Sequence, residues 1–369
     1  MTLPRPSRAY DVLVIGGGAA GSATAWQLAS LGHRVCLLER FEPGHRRGSS
    51  HGRSRLLRLA YPDPLYVGMA VEALRMWDQL ESETGADLIT TVGAVDGGRT
   101  DRLDRAAAAL TAEGAAFERL TEAEAAGRWP QLRLPGDVLF HPGASRVDPD
   151  ATLPALQRQA ERFGCDIRHS TPVTALEVDA DRARAHTPSG TFTAPVAVVT
   201  VGPWTSRLLD HVVKLPELTV TQEQVFHLPP RAPSDIWPAF SFQGEDGGIV
   251  YGMPTADEGV KVAEHLGGRE VTPDGRDGVV DADARRRVLG FAAEHLPGVE
   301  PTVSSETTCL YTNTADEDFL LDRIGPLVIG TACSGHGFKF TPLLGRMLAD
   351  LAVGESGPNP RFRLGTTAV

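Results

Sequence analysis

Three glycines, Gly16, Gly18 and Gly21, with Glu39 twenty-three residues after the first, have the spacing that holds a dinucleotide. Gly16 permits a tight turn from strand to helix. Gly18 lets the backbone approach a pyrophosphate, and Gly21 lets the helix pack close to the strand. The helix that begins at Ala19 and Ala20 presents unpaired N–H groups and the positive end of its dipole to the phosphates. Glu39 stands where a carboxylate can accept hydrogen bonds from ribose hydroxyls. A bare glycine pattern also fits an ordinary tight turn. Strand, helix, second strand and acid are all present here, and together they favour the dinucleotide.

Other candidate groups are scattered. Gly48-Ser49-Ser50-His51-Gly52-Arg53-Ser54-Arg55-Leu56-Leu57-Arg58-Leu59-Ala60-Tyr61 runs from small residues into three closely spaced arginines. This loop follows the ribose-binding acid, so it is expected near the cofactor, and arginine forks suit carboxylate or phosphate. A solvated basic loop is the other reading. Lys261 and His265 flank a strand-like segment and, on position alone, read as surface residues. Cys309, in Thr308-Cys309-Leu310-Tyr311-Thr312, reads by itself as a small core residue. Ser334-Gly335-His336-Gly337-Phe338-Lys339-Phe340 brackets a histidine with glycines and ends on a lysine between aromatics. That pattern suits backbone held close to a flat ligand, or a plain turn.

The elements that must position these groups are legible in outline. Tyr10 to Ile15 reads as a strand, Ala19 to Leu31 as a helix, and Arg34 to Leu38 as a second strand. Pro172 to Val178, Ala183 to Thr187 and Gly190 to Pro195 read as a small antiparallel set with a turn at Pro188-Ser189-Gly190. Val196 to Val201 is an unbroken apolar run that stops at Gly202-Pro203-Trp204, as suits a strand buried on both faces. Leu327 to Ile329 precedes the late glycine block, and a helix follows from Thr341 or Pro342 to Leu351. Leu88 to Val147 mixes strand-like and helical patches. Strand-like alternation marks Thr219 to Leu228, Gly248 to Met253 and Val260 to His265, and Ala282 to His295 reads as a helix. The expected architecture is α/β: a discontinuous cofactor domain (1–87, 148–214 and 302–369) and a second, substrate domain on a mixed or antiparallel sheet (88–147 and 215–301). Ligand sites favour clefts between such domains.

With 369 residues the chain can bury large cores. A net charge of −11 with no basic face argues against nucleic acid. The apolar runs are too short to span a membrane. Met1 to Ala9 lacks the apolar core of a secretory signal, and Thr366-Thr367-Ala368-Val369 is no recognised targeting tripeptide, so a cytoplasmic location is expected. Cys36, Cys165, Cys309 and Cys333 have no paired spacing, and no metal site is expected.

Taken with the nucleotide motif, three blocks resemble the monomeric sarcosine oxidase and N-methyltryptophan oxidase family of flavoproteins: Gly48 to Tyr61, Cys309 to Asp322, and Gly335 to Phe340. Trp129-Pro130 and Gly202-Pro203-Trp204 also resemble family positions, and the likeness spans essentially the whole chain. The resemblance implies an FAD-binding Rossmann-like domain. It implies a cofactor set of Gly16, Gly18, Ala19, Ala20, Gly21, Glu39, Arg40, Ser49, His51, Arg55, Val173, Gly202, Trp204, Gly335, His336, Gly337, Phe338 and Lys339. Cys309 would be bonded through sulfur to the flavin 8α-methyl group. Arg58 and Lys339 would hold the substrate carboxylate, and Lys261 would activate oxygen. His265, Tyr251 and Tyr311 would line the substrate pocket, with Arg55 near the flavin. The implied reaction oxidises an N-methyl or cyclic secondary amino acid to an imine and reduces O2 to H2O2. For an N-methyl substrate, formaldehyde is released. A monomer is expected.

Two cations fixing the carboxylate would aim the amine's carbon at the flavin. A cationic pocket disfavours the protonated amine, and a fixed lysine stabilises charge developing on oxygen. The sequence departs from the family at Arg53 (usually Asp), Ser54 (Thr), Ser50 (often His) and the Tyr61-Pro62-Asp63-Pro64 turn. An added arginine can alter loop pairing, and sarcosine is one candidate among several secondary amino acids. The alternatives are an FAD-dependent dehydrogenase that passes electrons to a partner, an NAD-dependent dehydrogenase, and a flavin-binding subunit without turnover. Lys261 argues against the first, the late glycine block against the second, and intact Arg58, Lys261, Cys309 and Lys339 against the third.

Overall fold

A computed structural model describes residues 10–231, 237–331 and 333–365. The terminal segments read above for targeting signals, Met1–Ala9 and Thr366–Val369, lie outside these residues. The chain divides into two compact units. One comprises the chain through His51, Thr152–Thr219 and the chain from Thr312 onward; the other comprises Gly52–Ala151 and Val220–Tyr311.

The first unit is built on strand β1 (Val12–Ile15), helix α1 (Ala19–Ser30) and strand β2 (Val35–Leu38). Every residue of β1 and β2 is buried, as strands covered on both faces must be. They lie in a six-stranded sheet in the order Leu320–Ile324, Leu327–Thr331, Val196–Val199, β1, β2, Asp166–Arg168. Its pairs are parallel except the first, an antiparallel hairpin. The expected antiparallel set forms as Ala175–Val178, Ala183–Thr187 and Gly190–Ala194. Helix Thr341–Val353 packs against α1, and Gly345 makes the approach possible: a Cβ there would lie 2.5 Å from that of Ala23.

The turn into α1 depends on its glycines. Gly16 has φ +102°, and a Cβ on it would stand 2.5 Å from the Thr200 carbonyl oxygen. A Cβ on Gly21 would stand 1.8 Å from the Gly16 carbonyl oxygen, so the helix seats directly on the turn.

In the second unit a mixed sheet runs Arg269–Glu270, Thr219–Leu228, Val260–His265, Ile249–Pro254, Ala239–Gln243, Ala94–Gly98, Val138–His141, Glu118–Leu120. Ala239–Gln243 pairs in parallel with Ala94–Gly98, and Ser305–Asn313 joins the sheet through Thr219–Leu228. One face buries Phe226, Leu228, Phe240, Val260 and Val262 against helix Ala282–His295, whose Ala284, Val288 and Ala292 recur at helical spacing. The other face carries a smaller cluster of Ala94, Ala144, Ala239 and Met253. The arginine-rich stretch is not all loop. Its Arg55–Leu57 forms β3, paired with Ser145–Val147, which also pairs with Ile89–Thr91. The Tyr61-Pro62-Asp63-Pro64 departure starts a helix, Pro64–Thr84: Asp63 caps it by accepting from the Leu65 amide at 2.9 Å, with proline at the first turn.

Candidate functional site

In the first unit the α1 N-terminus and the end of β2 meet. The Gly17 amide donates to Glu39 Oε2 at 2.6 Å and the Phe41 amide to Oε1 at 2.9 Å, with His45 Nε2 3.4 Å from Oε1. Burial alone would raise the Glu39 pKa. His45 and the two amides outweigh it and hold the carboxyl below its usual range. The amide of Ala19 donates to Ser50 Oγ at 3.1 Å, so a serine thirty-one residues away caps α1, which Gly18 cannot do. Around Gly18 the backbone is open except for that hydroxyl, 3.3 Å from where a Cβ would lie. The helix-end amides not taken by Glu39 or Ser50, the half-buried Gly18 backbone and an ionised acid supply the donors and the acceptor that a nucleotide pyrophosphate and ribose require, so FAD fits this turn.

Arg40 follows the end of β2, and Gly202 follows the end of Val196–Val199, both strands pairing in parallel with β1. The Arg40 guanidinium lies 5.0 Å from the Phe41 ring centroid and 5.5 Å from that of Trp204. His51 is buried and Val173 packs on the sheet's core. Gly202, at φ +53°, opens the short helix that carries Trp204, and its carbonyl accepts from Thr205 Oγ1 at 2.7 Å.

In the late glycine block Ser334 and Gly335 take left-handed conformations, φ +42° and +75°. Gly337 has no room for a Cβ, which would meet Cys333 at 2.3 Å. His336 Nε2 lies 3.0 Å from the Glu317 carbonyl oxygen, and its ring stacks on Phe319. Phe338–Phe340 is a single 3₁₀ turn. Lys339 is buried at 6% exposure and donates to the His336 carbonyl at 2.9 Å.

In the second unit Lys261 is not a surface residue. The strand's two-residue period puts Lys261 and His265 on the face opposite Val260 and Val262, and Lys261 is 3% exposed. Its Nζ donates to the Ser54 carbonyl at 2.9 Å, as does Arg55 Nη1 at the same distance. Arg55 Nη2 lies 3.9 Å from Cys309 Sγ. Burial, with the neighbouring Arg55 charge, pushes Lys261 down to about 7. Cys309 and Tyr311 share a face of their strand, and the Tyr311 and Tyr251 hydroxyls share a hydrogen bond, with both phenols raised mainly by burial. The His265 ring stands 5.7 Å from that of Tyr311. The structure thus draws Lys261, Arg55 and Cys309 into one group and Tyr251, Tyr311 and His265 into another.

Arg58 forms a third group. Its Nη1 donates to the Ala60 carbonyl at 2.6 Å and to Asp96 Oδ1 at 3.2 Å, and its guanidinium lies 4.6 Å from the Tyr61 ring centroid. Asp96 in turn meets His141 at 2.6 Å. Sequence reasoning missed Ser50 as a cap, the Ser54 carbonyl as the lysine's acceptor, and Asp96 and His141 altogether. The departure Arg53 pairs with Asp257, both side chains about half exposed. Among the described residues no group of three His, Cys, Asp or Glu could hold a metal ion, and no helix is long and apolar enough to cross a membrane.

Residues 11–351 match the family described as FAD dependent oxidoreductase. Monomeric sarcosine oxidase of Streptomyces avermitilis is 34% identical over 96% of this chain and 96% of the relative. N-methyl-L-tryptophan oxidase of Yersinia pestis is 29% identical over 95% and 96%. Among solved structures, the open form of NikD, an unusual amino acid oxidase essential for nikkomycin biosynthesis, superposes with a TM-score of 0.86 at 29% identity. That match covers 98% of this chain and 99% of NikD. The chain belongs to the FAD-dependent oxidoreductase family and is an FAD-dependent oxidoreductase.

Proposed function

We propose that this enzyme oxidises secondary amino acids, sarcosine or another N-methyl or cyclic amino acid, with O2 as the electron acceptor. FAD, when bound, supplies the two-electron redox chemistry. The amino acid loses a hydride equivalent from carbon and a proton from nitrogen, becoming an imine. O2 takes up the two electrons and two protons as H2O2. Water then converts an N-methyl imine into formaldehyde and the demethylated amine.

Each residue has a separate task in this reading. Arg58 receives the substrate carboxylate, and Lys339 is a second cation for it; the charges fix which carbon reacts. Tyr251, Tyr311 and His265 border the substrate and limit its size. Cys309 Sγ, which lies 3.9 Å from Arg55 Nη2, would be bonded to the flavin 8α-methyl group. Lys261 supplies a positive charge where O2 acquires negative charge. The observation that carries the oxidase reading is the burial of Lys261 with a backbone carbonyl as its acceptor. A lysine kept there for structure alone would be replaced at little cost by an apolar residue.

The test is a screen of secondary amino acids with purified protein, reading H2O2 and formaldehyde release together with flavin bleaching under argon. Oxidase activity gives peroxide in proportion to substrate consumed. Bleaching under argon that is not reversed by air, but is reversed by an artificial electron acceptor, would establish the dehydrogenase instead. Acid precipitation tests the covalent bond: the pellet stays yellow in the parent and loses its flavin in Cys309→Ser.

A further inference from the structure

Behind Arg58 lies a buried line of polar contacts that the proposed reaction leaves without a role. The Leu59 amide donates to His141 Nδ1 at 3.5 Å, and His141 Nε2 stands 2.6 Å from Asp96 Oδ2. The other carboxylate oxygen accepts from Arg58 Nη1. The His141 side chain is 0% exposed and that of Asp96 2%. With Nδ1 as acceptor toward the Leu59 amide, the hydrogen-bond network assigns a proton to Nε2, which faces Asp96. Burial alone would raise the Asp96 pKa, but His141 and Arg58 outweigh it and keep the carboxyl below its usual range. Arg102 and Tyr61 complete its charged and titratable surroundings.

Among the described residues, both hydrogen bonds that Arg58 makes fall on Nη1. Among the described residues Nε and Nη2 bond to nothing, so the outer edge of the fork is left for a ligand. That edge has the spacing of a bidentate carboxylate contact. Its direction is set by three contacts made elsewhere on the guanidinium: Asp96, the Ala60 carbonyl and the Tyr61 ring.

We infer that Asp96 and His141 are positioning residues that hold the Arg58 fork for the substrate carboxylate, an inference that rests on the proposed role of Arg58. The residue types fit the task. Asp96 sits between two donors, His141 Nε2–H and Arg58 Nη1–H, and an ionised carboxylate only accepts. An amide in its place must turn its NH2 toward one of them, which leaves a mismatched buried contact. His141 in turn ties the carboxylate to the backbone at Leu59, next to Arg58 itself.

The test uses flavin-loaded enzyme and methylthioacetate, a carboxylate with no amine, titrated by the flavin absorbance. Asp96→Asn is expected to weaken this ligand about tenfold or more. It should raise KM for amino acid substrates more than it lowers the limiting rate of anaerobic reduction. His141→Gln, which keeps a donor, should recover most of the affinity lost in His141→Leu. In an Arg58→Ala background, Asp96→Asn should change binding less than twofold, because the fork it positions is gone. The inference is overturned if Asp96→Asn binds as tightly as the parent or tighter, or if its loss persists undiminished without Arg58. If Arg58→Ala itself binds like the parent, the carboxylate role of Arg58 falls and the inference falls with it. Should Asp96→Asn fail to fold, the comparison of His141→Gln with His141→Leu decides by itself: equal loss in both overturns the positioning role.

Discussion

Glu39 and Lys261 are both buried charges, 6% and 3% exposed, and the chain treats them in opposite ways. Glu39 accepts two backbone amides and has His45 beside it, so its charge is stabilised in the folded protein. Lys261 has one carbonyl acceptor, but its burial and the neighbouring Arg55 charge outweigh that contact, so its charge is disfavoured there. One is a fixed anchor whose state does not change across the physiological range. The other sits at the edge of titration, where a negative charge arriving nearby would draw a proton onto it. That contrast suits the proposed roles of the two residues, one holding a nucleotide and the other serving the chemistry.

The largest effect should come from removing the poised cation. Lys261→Met is expected to slow flavin reoxidation by roughly 10²–10³-fold, the scale on which loss of one preorganised charge partner acts. Anaerobic reduction by substrate should change far less. Stopped-flow measurement of the two half-reactions checks this, and equal slowing of both would remove the distinction between the two charges. The anchor comes next. Glu39→Gln keeps the shape but weakens two amide contacts to a charged acceptor, each worth about 1.5–3 kcal/mol. Apo protein reconstituted with FAD should bind it roughly tenfold or more weakly. In a variant also lacking the Cys309 thiol, the flavin should then be lost on gel filtration.

The two charges also differ in how far they could be read from the chain. The turn from Gly16 to Glu39 was legible because its contacts are local: Gly17 and Phe41 reach Glu39 across twenty-two residues and two. The strands Thr219–Leu228 and Val260–His265 and the helix Ala282–His295 match their expected limits, since apolar periodicity set each of them. The burial of Lys261 was hidden. In Val260–His265 the lysine falls on the polar side of the alternation, which reads as a solvent face. That side is covered by chain from elsewhere, and the acceptor at Ser54 is 207 residues away. Asp96 and His141 left no local mark either. They lie on the same sheet face only because Ala94–Gly98 and Val138–His141 pair antiparallel, with Ala94 opposite His141. Patterns within a segment fix its structure, while the side chains that meet across strands are fixed by register.

A smaller effect separates the two charges by pH. The folded Lys261 pKa, about 7, lies below its unfolded value of ~10.4. Protonated Lys261 therefore opposes folding; this opposition is complete below about pH 7 and fades as pH rises toward the unfolded value. Lys261→Met should accordingly raise the melting temperature at pH 6.5 more than at pH 9.5. Glu39 has the opposite sign. Its folded pKa is depressed, so its stabilising contribution is complete above the ordinary glutamate value of ~4.3 and is lost only as pH falls through the folded one. Thermal melts of both variants across pH 4–10 check this, and parallel curves would mean that the two sites are electrostatically alike.

The smallest effect is expected at the most conspicuous departure in sequence. Arg53 adds a cation one residue before the carbonyl that accepts from Lys261, and from sequence it could disturb that site. The structure directs its charge to Asp257, in the turn between Ile249–Pro254 and Val260–His265, with both side chains about half exposed. Exposed pairs contribute about 0–1 kcal/mol and are screened by salt. The Ser54 carbonyl is held by Lys261 and Arg55 whatever residue precedes it. Arg53→Ser and Asp257→Ser should therefore each change kcat/KM by less than about threefold, and the double variant should show a coupling below about 1 kcal/mol that shrinks further at 0.5 M salt. A drop of tenfold or more in reoxidation rate for Arg53→Ser would show that this surface pair reaches the buried lysine. The poised charge would then depend on a partner at the protein surface as well as on its own burial.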